Sequence, residues 1–192
     1  MKLFIEMTLQ SDAVFGNGLS MPGGEDIATQ MDDQGFPYLK GNTLKGMFRE
    51  ELINLLAWTG KEKEETDRMV CTLMGEGGSE QLDESRKVRF SDLTLHPELR
   101  KAVEEETAEL SEHIVMFTYT RDFTSLEDGM AKEGSLRQCR CVKSGLHFYG
   151  TCVCDEQDAE LVKEVLALIK WVGTMRNRGF GKVSISCGGQ YE

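Results

Sequence analysis

The chain has 192 residues, of which 40% are hydrophobic and 29% charged, and its formal net charge is -11 at pH 7. This is the profile of an ordinary packed domain, and so acidic a surface argues against non-specific nucleic-acid binding over its whole area, though not against a local basic groove. No apolar run approaches the roughly 18 residues of a membrane span, and the N-terminal MKLFIEMTLQ lacks a signal peptide's apolar core, so a cytoplasmic protein without membrane contact is expected.

Residues 2–10 alternate as a strand, with Leu3, Ile5, Met7 and Leu9 on one face and Phe4, Glu6, Thr8 and Gln10 on the other. Residues 11–41 are rich in glycine and polar side chains and read as a flexible loop; connections of that length tend to be functional or mobile. Asn42 or Thr43 is expected to cap a helix whose buried stripe is Leu44, Phe48, Leu52 and Leu55. A second helix is expected near 62–74, ended by Gly-Glu-Gly-Gly at 75–78. A strand follows over 88–95, and Pro97 opens a short acidic helix. Residues 113–120 form a β-rich run, 121–144 are basic and irregular, and 145–154 are again a strand, which places His113 and His147 on strands. Residues 156–172 give the clearest helix, with Leu161, Val165, Leu168 and Val172 on one stripe, and Val183 and Ile185 belong to a last strand. The order is the βαββαβ plan of an α+β, ferredoxin-like (RRM-like) fold with central insertions, in one domain over 1–192.

Two segments combine glycine with cations. In YLKGNTLKGMFREEL at 38–52, Lys45 and Arg49 are four apart and share a helix face, and Gly41 and Gly46 admit a close backbone. With Asn42 and Thr43 they surround a helix start, whose unpaired amides attract phosphate; the plainer reading is a capped helix with solvated cations. GTMRNRGFGKV at 173–183 carries Gly173, Gly179 and Gly181 with Arg176, Arg178 and Lys182, glycines to expose N–H groups and cations to grip phosphate. In a βαββαβ plan the first helix and the last loop can approach one edge of the sheet, which suggests a track for a phosphodiester backbone.

Other features point less sharply. Cys139/Cys141 and Cys152/Cys154 are C-x-C pairs, which on strands point both thiols one way. They could in principle hold zinc, but the spacing is a weak signal and buried cysteine is common apolar filler. The acidic runs at 61–67, 104–112 and 155–160 read as solvated helix faces or ends. Phe15, Tyr119 and Phe123 are aromatic candidates for stacking on bases. His96 is expected to cap a loop, and no Ser-His-Asp set presents itself.

Four blocks spread over the chain carry a resemblance: FPYLKGNTLKGMFRE at 36–50, VRFSDLTL at 88–95, TRDFTSLEDGMAKEGSLRQCRCVKSGLHF at 120–148 and GTMRNRGFGKV. In this order they resemble the RAMP superfamily of CRISPR-associated proteins, specifically the repeated backbone subunit of type III effector complexes of antiviral defence. The sequence departs from that pattern at Lys40, where a proline is usual, at Asn42 and Thr43, which replace serines, at Phe123, where an arginine is common, and at Arg140, where a glutamate is usual.

The resemblance implies a palm that assembles along a guide CRISPR RNA with other copies of itself and other CRISPR effector subunits. It implies a thumb over about 120–144, including Thr120, Arg121, Asp122, Phe123 and Arg137, that displaces one base of a complementary target RNA. The cutting aspartate of active relatives corresponds to Asp26, six residues before Asp32, and would hold Mg²⁺ or take the 2′-OH proton; no organic cofactor is implied. Two alternatives stand beside this: a binding subunit that does not cut, and a metal-independent repeat-processing endonuclease, which would need His113 or His147.

Overall fold

A computed structural model describes residues 1–18, 25–75, 88–127 and 129–188. Its elements in chain order are β1 (Lys2–Leu9), α1 (Gly41–Trp58), α2 (Lys63–Met74), β2 (Arg89–Phe90), β3 (Thr94–Leu95), α3 (Pro97–Glu106) and α4 (Leu110–Phe117). They continue with β4 (Thr118–Phe123), β5 (Leu126–Glu127), β6 (Met130–Ala131), β7 (Arg137–Val142), β8 (His147–Val153), α5 (Ala159–Leu168) and β9 (Val183–Cys187).

The main sheet runs β2-β8-β1-β9, with β3 also on β8, and every pairing is antiparallel. Counting β2 and β3 as one interrupted strand gives the order fourth–first–third–second, which is the ferredoxin-like arrangement expected from the βαββαβ plan. Along β1, Leu3, Ile5, Met7 and Leu9 are buried while Phe4, Glu6 and Thr8 are half-buried on the opposite face. The buried face packs on Leu44, Phe48, Leu52 and Leu56 of α1 and on Val162, Val165 and Leu166 of α5. Each such side chain contributes about 1.5–3 kcal/mol by leaving water.

The inserted hairpin pairs β4 with β7 from Thr118–Val142 out to Phe123–Arg137. Part of the long N-terminal loop is stitched to its base: Ala13 bridges Val142, and Ile27 bridges Cys139 in parallel. A second small core forms there from Val14, Cys139, Cys141 and Phe180, with Ile27, Tyr119, Phe123 and Met175 against it. Residues 19–24 of the expected loop lie outside the described residues, as do 76–78 of the Gly-Glu-Gly-Gly stop. Gly75 itself ends α2 at φ 75°.

Several local expectations are corrected. Helix α1 starts at Gly41, with Lys40 in the cap position and no side-chain cap of its own. Neither Asn42 nor Thr43 caps it, because Asp92 supplies the acceptor from a distant strand: Gly41 N–H donates to Asp92 Oδ1 at 2.7 Å. Leu56, rather than Leu55, completes the buried stripe. The run at 113–120 is helical as far as Phe117, because His113 and Phe117 lie on one helix face over Phe36, to which both rings pack. Here tertiary packing overrides β propensity.

The segment 121–144 is largely a regular ladder. The strand at 88–95 is broken at Ser91–Asp92, where Ser91 Oγ takes the Thr151 N–H at 2.8 Å and Asp92 turns to α1. The helix expected over 156–172 is a 3-10 turn at Glu156–Asp158 followed by α5, and Trp171 already lies in an extended bridge with Lys182.

Candidate nucleic-acid interface

The start of α1 is built around Gly41. A Cβ there would sit 2.6 Å from Phe90 O and 2.8 Å from Ser91 C, so the helix can dock on that strand only without a side chain. The docking brings Asp92 to the positive end of the helix, where a carboxylate is stabilised. The anion expected at this amide is therefore the chain's own, and Gly41 serves the fold. Asn42 and Thr43 are exposed, Lys45 is half-buried, and Gly46 faces open space. Arg49 is half-buried and its guanidinium donates to Gly75 O at 3.1 Å, closing the C-terminus of α2. Arg49, expected to be exposed for phosphate, is thus half-buried and spends one of its donors on this helix end.

The glycine-rich loop is likewise demanded by backbone crossings. A Cβ at Gly173 would lie 2.3 Å from Val14 O, and one at Gly181 1.9 Å from Val172 O, both at positive φ. The N–H groups of Thr174, Gly181 and Val183 donate to Val14, Asp12 and Lys170 carbonyls, and Lys182 N–H donates to Ser11 Oγ at 2.9 Å. Arg178 and Gly179 N–H close the 3-10 turn Arg176–Arg178. Six of the loop's amides are thus used in internal bonds, and the side chains of Arg176, Arg178 and Lys182, all exposed, carry the positive charge outward.

That turn stands between two clefts. The palm cleft, about 180 Å³, is lined by residues of both glycine-cation segments, including Lys40, Thr43, Gly173 and Arg176, with Phe15 and Tyr38. Gln30 donates to Tyr38 Oη at 2.8 Å on its wall. The thumb cleft, about 350 Å³, is lined by Ile27, Phe123, Ser135, Arg137, Met175 and Arg178 among others. Phe123 lies under two cations, with Arg178 at 5.3 Å and Arg121 at 5.4 Å from the ring centre. Thr120 and Asp122 are exposed on β4 beside them. The two glycine-cation segments do meet at one end of the palm.

Asp26 is exposed at the thumb base, next to Ile27 of the thumb cleft, and its Oδ2 accepts the Gln138 N–H at 2.7 Å. Its neighbour Glu25 forms an ion pair with Arg140, which also donates to Thr118 Oγ1 at 3.2 Å. Ile27 N–H donates to Gln138 O and Arg140 N–H to Ile27 O, each at 3.1 Å, so this acidic segment behaves as an added strand of the thumb. Among the described residues no three His, Cys, Asp or Glu side chains gather to hold a metal. One exposed carboxylate nevertheless suits Mg²⁺, which keeps its waters and takes one or two carboxylates plus substrate phosphates. Asp26 would be its protein ligand.

The remaining candidates have structural partners. Tyr119 donates to Asp12 Oδ2 at 2.7 Å; burial and this bond push its hydroxyl up to about 12, and it packs at the thumb base. Phe15 is buried edge-on to Phe148, although it also lines the palm cleft. His113 is buried in α4, its ring nitrogens 2.8 Å from Gln34 O and 2.9 Å from Thr107 O; these two acceptors raise its pKa. His147 lies 2.9 Å from Glu6 Oε1 on the open face of the sheet. Neither histidine lines the palm cleft or the thumb cleft. His96, expected to cap a loop, instead accepts from Glu98 N–H at 3.3 Å and caps the helix α3. Cys139, Cys141, Cys152 and Cys154 are free and buried, and burial raises their pKa values, that of Cys141 to about 11. They fill the two cores.

Gln30 of the palm cleft carried no local signal, whereas Tyr38, Met47 and Thr174 lie inside the two glycine-cation segments and Ser135 inside the thumb block.

Fold and site together define a ferredoxin-like palm with an inserted hairpin and a cationic loop between two clefts. The chain belongs to the RAMP superfamily, whose family profile matches residues 6–184. Among solved structures it is similar to a chain of the type III-B Cmr-beta complex bound to cognate target RNA, at 11% identity and TM-score 0.70, covering 97% of both chains. It is similar also to a chain of Cmr-beta in the apo state, at 12% identity and TM-score 0.71, again over 97% of both. No curated protein matches the sequence.

Proposed function

We propose that this chain is a guide-RNA-binding subunit of a type III CRISPR interference complex, assembled with further copies and other effector subunits. The observation that carries this is the meeting of Lys40 and Thr43 with Gly173 and Arg176 in one cleft, across the Arg176–Arg178 turn from the thumb cleft. A guide backbone following this end of the palm is met by Lys40, Lys45, Arg176, Arg178 and Lys182. The likeness to a chain of a complex bound to cognate target RNA supports the same reading.

Cleavage of a paired target at the thumb base is the second part of the proposal. A nucleotide displaced there can bring its 2′-OH in line with the adjacent phosphate. Asp26, held by the Gln138 amide, keeps one carboxylate oxygen to accept the hydroxyl proton or to bind Mg²⁺. The ion, when bound, would supply charge stabilisation at the phosphate. Arg137 and Arg178 of the thumb cleft orient the strand. A subunit that binds without cutting is the second reading, favoured by the bond that already engages Asp26 Oδ2.

The test is a guide-loaded assembly given labelled complementary RNA with Mg²⁺ and then chelator. Regularly spaced products that vanish with Asp26→Ala, while guide affinity holds, support cutting; the rate should fall at least about 10²-fold. Equal ladders from both proteins remove Asp26 from the mechanism. No ladder from the wild type leaves the binding subunit.

A further inference from the structure

Trp171 lies at the base of the glycine-rich loop, opposite Lys182 in an antiparallel bridge. Val172 N–H donates to Gly181 O at 2.8 Å and Val183 N–H to Lys170 O at 2.9 Å. These flanking bonds make Trp171–Lys182 a non-hydrogen-bonded pair, the kind whose facing side chains come closest. Val172 and Val183 are buried on the opposite side, so the indole and the ammonium face outward together, with Trp171 38% exposed.

That exposed face is open to a ligand. The local charge selects which: residues 165–183 hold Lys170, Arg176, Arg178 and Lys182 and no acid, in a chain of net charge -11. The ligand is therefore an anion with a flat apolar surface. We infer that Trp171 is a stacking platform for one nucleobase of a bound single strand, with Lys182 on the adjoining phosphate. A ring on a tight backbone hairpin loses little freedom when a base lies on it, and every base has a face to offer, so the contact tolerates any sequence. This rests on the RNA-binding reading above and adds to it a contact outside both clefts.

The second tryptophan, Trp58, is 72% exposed at the end of α1, so Trp58→Phe leaves Trp171 as the one reporter without opening the core. In that background, an unstructured oligoadenylate should quench the emission, and an abasic strand of the same length should not. Trp171→Ala should weaken binding of labelled oligoadenylate by about 5- to 100-fold, and Trp171→Phe by much less. Lys182→Ala should lower the log–log salt slope by about 0.7.

Binding of the labelled strand with unmoved Trp171 emission and an unaffected Trp171→Ala protein would overturn the platform and leave the RNA-binding reading standing. A concentration-dependent shift of the emission without RNA would show that a second copy covers the indole, and would overturn it too. Absence of all RNA binding by the wild type would overturn both.

Discussion

Asp92 caps a helix that begins 51 residues before it: its Oδ1 accepts the N–H of Gly41 at 2.7 Å, and Gly41 can approach only because it lacks a Cβ. The pair locks α1 onto the strand edge and fixes Lys40 and Thr43 at the palm cleft. Asp92→Ala should lower stability by about 0.5–2 kcal/mol, as loss of a helix cap does. Gly41→Ala should lower it by about 1–3 kcal/mol through overpacking against Phe90. Urea unfolding checks both, and a silent Gly41→Ala would refute the docking argument.

The cations divide into two groups. Arg49→Ala should destabilise by about 1 kcal/mol, because its bond to Gly75 O closes a helix end. Arg176→Ala with Arg178→Ala should leave the melting temperature nearly unchanged. On single-stranded RNA the pair should reduce the salt slope by about 0.7 per lost phosphate contact. An unchanged slope would remove the turn from the RNA path.

His113 couples the turn at Gln34 to α4. Both ring nitrogens face carbonyls, so only the imidazolium can donate to both, and its pKa is raised in the folded state by Gln34 O and Thr107 O. A raised folded pKa gives stability that is fully present below the unfolded value of about 6.5 and is lost as pH rises through the folded one. Melting followed from pH 5 to 8.5 should show wild type losing ground to His113→Phe as pH rises. A constant difference would mean that the ring acts through packing alone.

Glu25 and Arg140 hold the acidic segment on the thumb, with side chains 18% and 22% exposed. Arg140→Glu should loosen it by like-charge repulsion, and Glu25→Arg with Arg140→Glu should recover part of the loss. The expected coupling in a double-mutant cycle is about 0.5–3 kcal/mol. Additive effects would show that the pair is incidental.

The paired cysteines should resist modification. Burial raises the pKa values of Cys139, Cys141, Cys152 and Cys154, and none is exposed. Native protein treated with iodoacetamide should leave all four unlabelled by mass spectrometry, while urea-unfolded protein labels them. Rapid native labelling would contradict their place in the cores.

Much of this fold is written locally. The alternation of Leu3, Ile5, Met7 and Leu9 and the stripe of Leu44, Phe48 and Leu52 give period and buried face directly, since an element's period decides which side chains leave water. The order of those elements gave the ferredoxin-like plan, and the spacing of glycines and cations marked both segments that meet at the palm cleft. What the glycines do was not local. Gly41, Gly173 and Gly181 look like phosphate-binding glycines, yet Gly41 and Gly173 are required by segments crossing from elsewhere in the chain, and Gly181 by Val172 across the base of its own loop. Asp92, Arg49 and Arg140 found partners between 26 and 115 residues away. Their side chains could equally have met water or RNA, and only the packed core, by bringing distant segments within hydrogen-bond reach, decided which of them the fold consumed.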